Sequence, residues 1–64
     1  MAIVVNGQLQ PDAANLESLL EQMGYHQMSV ATALNGRFIA ADDRRETRLV
    51  DGDRVEIVAP MQGG

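Results

Sequence analysis

Residues 51–64 read Asp51-Gly52-Asp53-Arg54-Val55-Glu56-Ile57-Val58-Ala59-Pro60-Met61-Gln62-Gly63-Gly64, and this stretch sets what the rest of the chain must build. Asp51-Gly52 marks a turn. From Arg54 to Ala59 charged and apolar positions alternate through Val55 and Ile57, the period-2 pattern of a strand with one buried side. Val55 and Ile57 are expected to face a core, leaving Arg54, Glu56 and Val58 outward beside the root of the C-terminal segment. Pro60 ends the strand, because it has no N–H to give a ladder and pushes Ala59 to extended angles. Met61 to Gly64 are therefore expected to project as a flexible tail. A strand with one apolar side needs sheet neighbours and a second layer to cover it.

The preceding residues offer both. Ile3-Val4-Val5 is β-branched, and Asn6-Gly7 after it is the strongest two-residue hairpin signal, with a weaker strand returning over Gln8 to Gln10. Pro11 and Asp12 are expected to interrupt regular structure. Asn15 is a candidate N-cap for a helix of about two turns that carries Leu16, Leu19, Leu20 and Met23 on one face. Glu17 and Glu21 fall on the other side, and Gly24 stands where a left-handed residue ends a helix. Val30 to Leu34 reads as a strand, Asn35-Gly36 as a second hairpin turn and Arg37-Phe38-Ile39 as its return. Ala40 to Thr47 is polar and reads as a solvated loop. The expected fold is α+β, with a mixed four- to five-stranded sheet covered on one face by a single helix. Residues 1–60 would form the domain and 61–64 the tail.

Size limits what such a domain can do alone. At 64 residues it can bury only about 60% of its unfolded surface, too little for a deep pocket walled by its own side chains. The absence of Cys rules out a disulfide framework and a Cys-based zinc site, so aliphatic packing must hold the fold. An apolar content of 45% and a charged content of 22% are those of a chain that folds. The net charge of −4, with five Arg and no Lys, argues against nucleic acid as a partner, since phosphate neutralisation supplies most of that affinity. No apolar run approaches the roughly 20 residues of a membrane span, and the N-terminus lacks the pattern of a signal peptide. A cytoplasmic protein, monomeric when alone, is expected.

No self-contained catalytic site is legible. His26 is the sole His and reads as an exposed residue after the helix. Ser18, Ser29 and Thr47 have no recognisable base beside them. Asp42-Asp43 and Asp51-x-Asp53 miss the spacing of a calcium loop and are expected to be neutralised by Arg44, Arg45 and Arg54. No metal ligand set is expected. The tail differs, because four extended residues reach about 13–14 Å and Gly63 and Gly64, lacking Cβ, can thread a narrow channel. The terminal carboxylate would arrive unhindered in the active site of another protein.

Asn35-Gly36, the run Asp51 to Val58, and Pro60-Met61-Gln62-Gly63-Gly64 together resemble the ThiS family of sulfur carrier proteins, β-grasp proteins related to ubiquitin. The N-terminal hairpin, the Leu-rich helix and the length agree with it. The loop Ala40 to Arg48 departs from it in lacking the Pro and Trp common among relatives. The resemblance implies a non-catalytic carrier. An E1-like adenylyltransferase of ThiF type would use ATP and Mg to adenylate Gly64, with Met61, Gln62 and Gly63 as the segment inserted into partner active sites. A persulfide-bearing sulfur donor protein would then convert Gly64 to a thiocarboxylate, and a thiazole synthase of ThiG type would receive the sulfur. The chain itself would bind no cofactor. Arg54, Glu56 and Val58 are the candidate partner-binding face, with Phe38 either in that patch or in the core. Three other readings stay open: a small subunit of molybdopterin synthase, a lysine-conjugated modifier like ubiquitin, and an interaction domain with an incidental Gly-Gly.

Overall fold

The computed structural model describes residues 2–25 and 29–59. Five strands form one sheet: β1 (Ala2–Val5), β2 (Gln8–Pro11), β3 (Ala31–Leu34), β4 (Arg37–Ile39) and β5 (Arg54–Val58). Their spatial order is β2-β1-β5-β3-β4, so the last strand lies at the centre. It pairs parallel with β1 and antiparallel with β3, which makes the sheet mixed. The two Asn-Gly pairs form the two hairpin turns, with Asn6 and Asn35 each at φ +50° and the following glycines at +83° and +85°. Positive φ at both central residues is what a type I′ hairpin requires, and Asn and Gly are the residues that tolerate it. Pro11 does not interrupt β2 but ends it, opposite Ala2. The strand lies at the sheet edge, where a missing N–H costs no ladder bond.

One helix, α1 (Leu16–Gln22), packs across one face of the sheet. Asn15 caps it, its Oδ1 accepting from the Ser18 N–H at 2.7 Å. At the other end Gly24 has φ +87°. The Tyr25 N–H donates to Leu20 O at 2.8 Å and the Gly24 N–H to Glu21 O at 3.1 Å, the paired bonds of a Schellman motif. Leu16, Leu19 and Leu20 meet Ile3, Val5, Val55 and Ile57 from the sheet, and Leu49 closes the core from one side. Met23, half-buried, packs at the margin as the helical spacing predicts.

The segment after β4 is more structured than its polarity suggests. It opens with a 3₁₀ turn, Ala41–Asp43, and then runs back over the start of α1. The Leu16 N–H donates to Thr47 O at 2.9 Å and the Glu17 N–H to Arg44 O at 3.4 Å. With the Asn15 side chain satisfying the Ser18 N–H, the three open donors of the first helical turn all have partners. The Leu49 N–H then donates to Ala14 O at 3.2 Å. A solvated loop was the expectation, and it is corrected by this capping role. Arg44 is the anchor: its Nε donates to Thr32 Oγ1 at 3.0 Å and its Nη2 to Val30 O at 2.6 Å.

Candidate functional site

α1 covers one face of the sheet and leaves the other open. On β5 burial alternates, with Val55 and Ile57 buried and Arg54, Glu56 and Val58 exposed, as the sequence pattern predicts. The strand register extends that open face across the sheet. Arg54 lies beside Val4 on β1, and Val4 lies opposite Leu9 on β2. Glu56 lies opposite Ala33 on β3, and Ala33 opposite Phe38 on β4. Val58 lies opposite Ala31. Phe38 is therefore in the outward patch and not in the core, with 68% of its surface exposed; Leu9 and Val58 are similarly bare at 73% and 65%.

The result is an apolar surface with one cation and one anion at its centre. Arg54 and Glu56 stand two residues apart on the central strand, flanked by Leu9, Val4 and Phe38, with Val58 at the end from which the chain leaves the sheet. Three large apolar side chains exposed on one side of so small a domain make this face a candidate docking surface. A shallow groove bordered by Val4, Asn6, Arg54, Glu56 and Val58 runs along it. Val4 and Leu9 escaped the sequence reading. Their signal was available, because a two-residue turn at Asn6-Gly7 fixes Val4 opposite Leu9, and once Val5 faces the core both must face away from it.

The Asp51-x-Asp53 pair is held differently from expectation. Asp51 Oδ1 accepts from the Ala2 N–H at 2.7 Å, while Asp53 accepts from the Val50 N–H at 2.9 Å and from Asn35 Nδ2 at 3.1 Å. Amide donors, and not Arg44 or Arg54, compensate these carboxylates, so they serve as turn-forming residues. Arg45 pairs with Glu17 at 3.6 Å on the surface. Thr47 Oγ1 donates to Asp43 O, a local loop bond. Among the described residues no cluster of three His, Asp or Glu side chains could hold a metal ion, and no helix is long and apolar enough to cross a membrane. His26 and the tail residues Met61, Gln62, Gly63 and Gly64 lie outside the described residues, as does the boundary expected at Pro60.

Known proteins share this architecture. The ThiS family model matches residues 2–64. The sulfur carrier protein ThiS of Thermus thermophilus is 39% identical over 61 residues, covering 94% of this chain and 95% of the relative. The crystal structure of the thiamine biosynthesis protein ThiS from Geobacter metallireducens superposes with a TM-score of 0.81 at 32% identity, each chain covered in full. A solution structure of a thiamine biosynthesis protein from the same organism gives 0.80 at 33% identity, covering all of this chain and 88% of that one. Sheet, helix and these likenesses define a ubiquitin-like β-grasp protein. Within that class, the chain belongs to the ThiS family of sulfur carrier proteins of thiamine biosynthesis. That membership favours the sulfur carrier reading over the three others the sequence left open.

Proposed function

We propose that this chain carries sulfur as a thiocarboxylate on Gly64 and delivers it to the enzyme that assembles the thiazole ring of thiamine. A terminal carboxylate has a reference pKa of about 3.3–3.7, so near neutrality it is an anion that nucleophiles do not attack. Activation comes first. An adenylyltransferase of ThiF type grips the open sheet face and draws the tail into its site. There a carboxylate oxygen of Gly64 attacks the α-phosphorus of Mg-bound ATP and pyrophosphate leaves. The outer sulfur of a donor protein's persulfide then attacks the acyl carbon and AMP departs. Cleavage of the remaining S–S bond by a thiol, which is oxidised to a disulfide, leaves the thiocarboxylate. A thiazole synthase of ThiG type accepts that sulfur.

The observation that carries this reading is family membership with a match that runs through Gly64. The exposed patch supports it by offering a grip next to the strand from which the tail departs. Composition is compatible as well: without Cys the carrier has no side chain to hold a persulfide, and without Lys it has no side-chain amine to intercept the activated acyl group. The carrier supplies the scaffold and the reacting atom, and its partners supply the catalysis.

The test is incubation with the cognate adenylyltransferase, ATP, Mg and a sulfur source, followed by intact-mass analysis. The expected product gains the mass of one oxygen-to-sulfur exchange, and a chain lacking Gly64 gains nothing. A full-length chain that stays unmodified beside an enzyme active on another carrier refutes the proposal.

A further inference from the structure

The parallel ladder between β1 and β5 ends at Val5 opposite Val55, whereas β3 accompanies β5 on its other flank as far as Val58 opposite Ala31. The last part of β5 therefore runs past the end of β1, which would leave the Ile57 peptide without a partner on that side. Asn6 fills the gap. Its main-chain N–H donates to Val55 O at 2.9 Å, and its side chain folds back along the strand. There Oδ1 accepts from the Ile57 N–H at 2.9 Å and Nδ2 donates to Ile57 O at 3.1 Å. In a continuing parallel strand, the main-chain carbonyl of residue 6 would take the Ile57 N–H. At φ +50° that carbonyl has turned away into the hairpin, and the carboxamide stands in for a peptide unit.

Asn35 offers an internal comparison. It occupies the same position in the other Asn-Gly hairpin, at the same φ, and also bonds to β5. Its N–H donates to Arg54 O at 2.7 Å and its Oδ1 accepts from the Arg54 N–H at 3.0 Å. That contact lies at the start of β5, on the opposite flank, remote from the exit of the chain. Two chemically alike clamps thus hold the two ends of one central strand.

We propose that Asn6 is a positioning residue for the acyl transfer: by fixing the Ile57 peptide it sets the point and direction from which the C-terminal carboxylate is presented to the activating enzyme. The proposal rests on Gly64 being the reacting group. Gly64 is seven residues beyond Ile57, so the clamp sets the root from which the remaining chain must reach. Misplacement of a reacting group lowers the rate of the bound complex even when the docking surface is intact. The signature is a fall in kcat with KM held, whereas loss of a docking contact raises KM.

The experiment compares Asn6→Gly with Asn35→Gly. Glycine keeps the positive φ of each turn and removes only the carboxamide. Amide exchange of Ile57 should accelerate by on the order of tenfold to a hundredfold in Asn6→Gly, the effect of losing two ordinary hydrogen bonds, and should track global stability alone in Asn35→Gly. In adenylation assays kcat should fall roughly threefold or more for Asn6→Gly, by more than any rise in KM from the groove edge it also borders, while Asn35→Gly matches wild type. Asn6→Asp, which keeps an acceptor for the Ile57 N–H and loses the donor, should fall between. Equal kinetics for the two glycine variants beside a normally adenylated wild type overturn the positioning role alone. Unchanged Ile57 exchange overturns the clamp itself. A wild-type chain that is never adenylated overturns the assignment of Gly64, and the positioning role with it.

Discussion

Replacing Arg44 by Ala tests whether the segment after β4 is part of the fold or merely rests on it. The guanidinium makes two bonds, to Thr32 Oγ1 at 3.0 Å and to Val30 O at 2.6 Å. Hydrogen bonds from a charged donor contribute about 1.5–3 kcal/mol each where they are well buried. Two features reduce that here. Arg44 is only partly buried, and the hydroxyl of Thr32, a residue 2% exposed, keeps its own donation to Ile39 O at 2.9 Å when the arginine is gone. A loss of about 1–2 kcal/mol is therefore expected, against a total of roughly 3–10 kcal/mol for a domain of this length. In a domain this small each kcal/mol moves the Tm by about 4–8 °C, so thermal unfolding followed by circular dichroism should show a drop of roughly 5–15 °C. Urea titration should give the same loss with an unchanged slope. Arg44→Lys should recover less than half, because one ammonium on a flexible stem does not reproduce the guanidinium fork. A change below about 0.5 kcal/mol in Arg44→Ala would show that the bonds carry no net stability and that the segment is held by its helix-capping carbonyls alone.

Two further substitutions probe the docking face and the end of the helix. Val58→Asp, at a position 65% exposed, should stay folded with a stability change within about 1 kcal/mol and should raise the KM for adenylation; unchanged kinetics would place Val58 outside the contact. Gly24→Ala should cost about 1–2 kcal/mol in urea titration, all of it from forcing a side chain to φ +87°, since the added Cβ meets nothing within 4 Å; a neutral result would mean that the Schellman turn relaxes freely.

Most of the fold was legible because local and long-range signals agreed. Asn6-Gly7 and Asn35-Gly36 specify their turns chemically, and the i, i+3, i+4, i+7 spacing of Leu16, Leu19, Leu20 and Met23 specifies a helix face whatever surrounds it. The alternation in β5 located its buried and exposed sides, and with them Arg54, Glu56 and Val58. What the sequence hid were partnerships between distant residues. Nothing near Arg44 announces that its target is a threonine on β3, and proximity in sequence instead suggested Asp42 and Asp43. Leu49 stands beside Val50 in an apolar pair too short to show by periodicity which of the two is core. Phe38 was ambiguous because a three-residue strand is too short to show which side is buried. Register decided it, and register is set by the hairpin turn.

The central place of β5 bears on how the molecule is made. Hairpins β1–β2 and β3–β4 share no ladder until Arg54–Val58 slides between them, and Val4 meets Arg54 across some fifty residues of chain. Such closures are entropically costly and come late, so a polypeptide cut short before Arg54 has neither a finished sheet nor a settled core. Translation must pass Val58 before the sheet can be completed. A prematurely released fragment would thus lack both the strand that joins the two hairpins and the open face that Arg54, Glu56 and Val58 occupy.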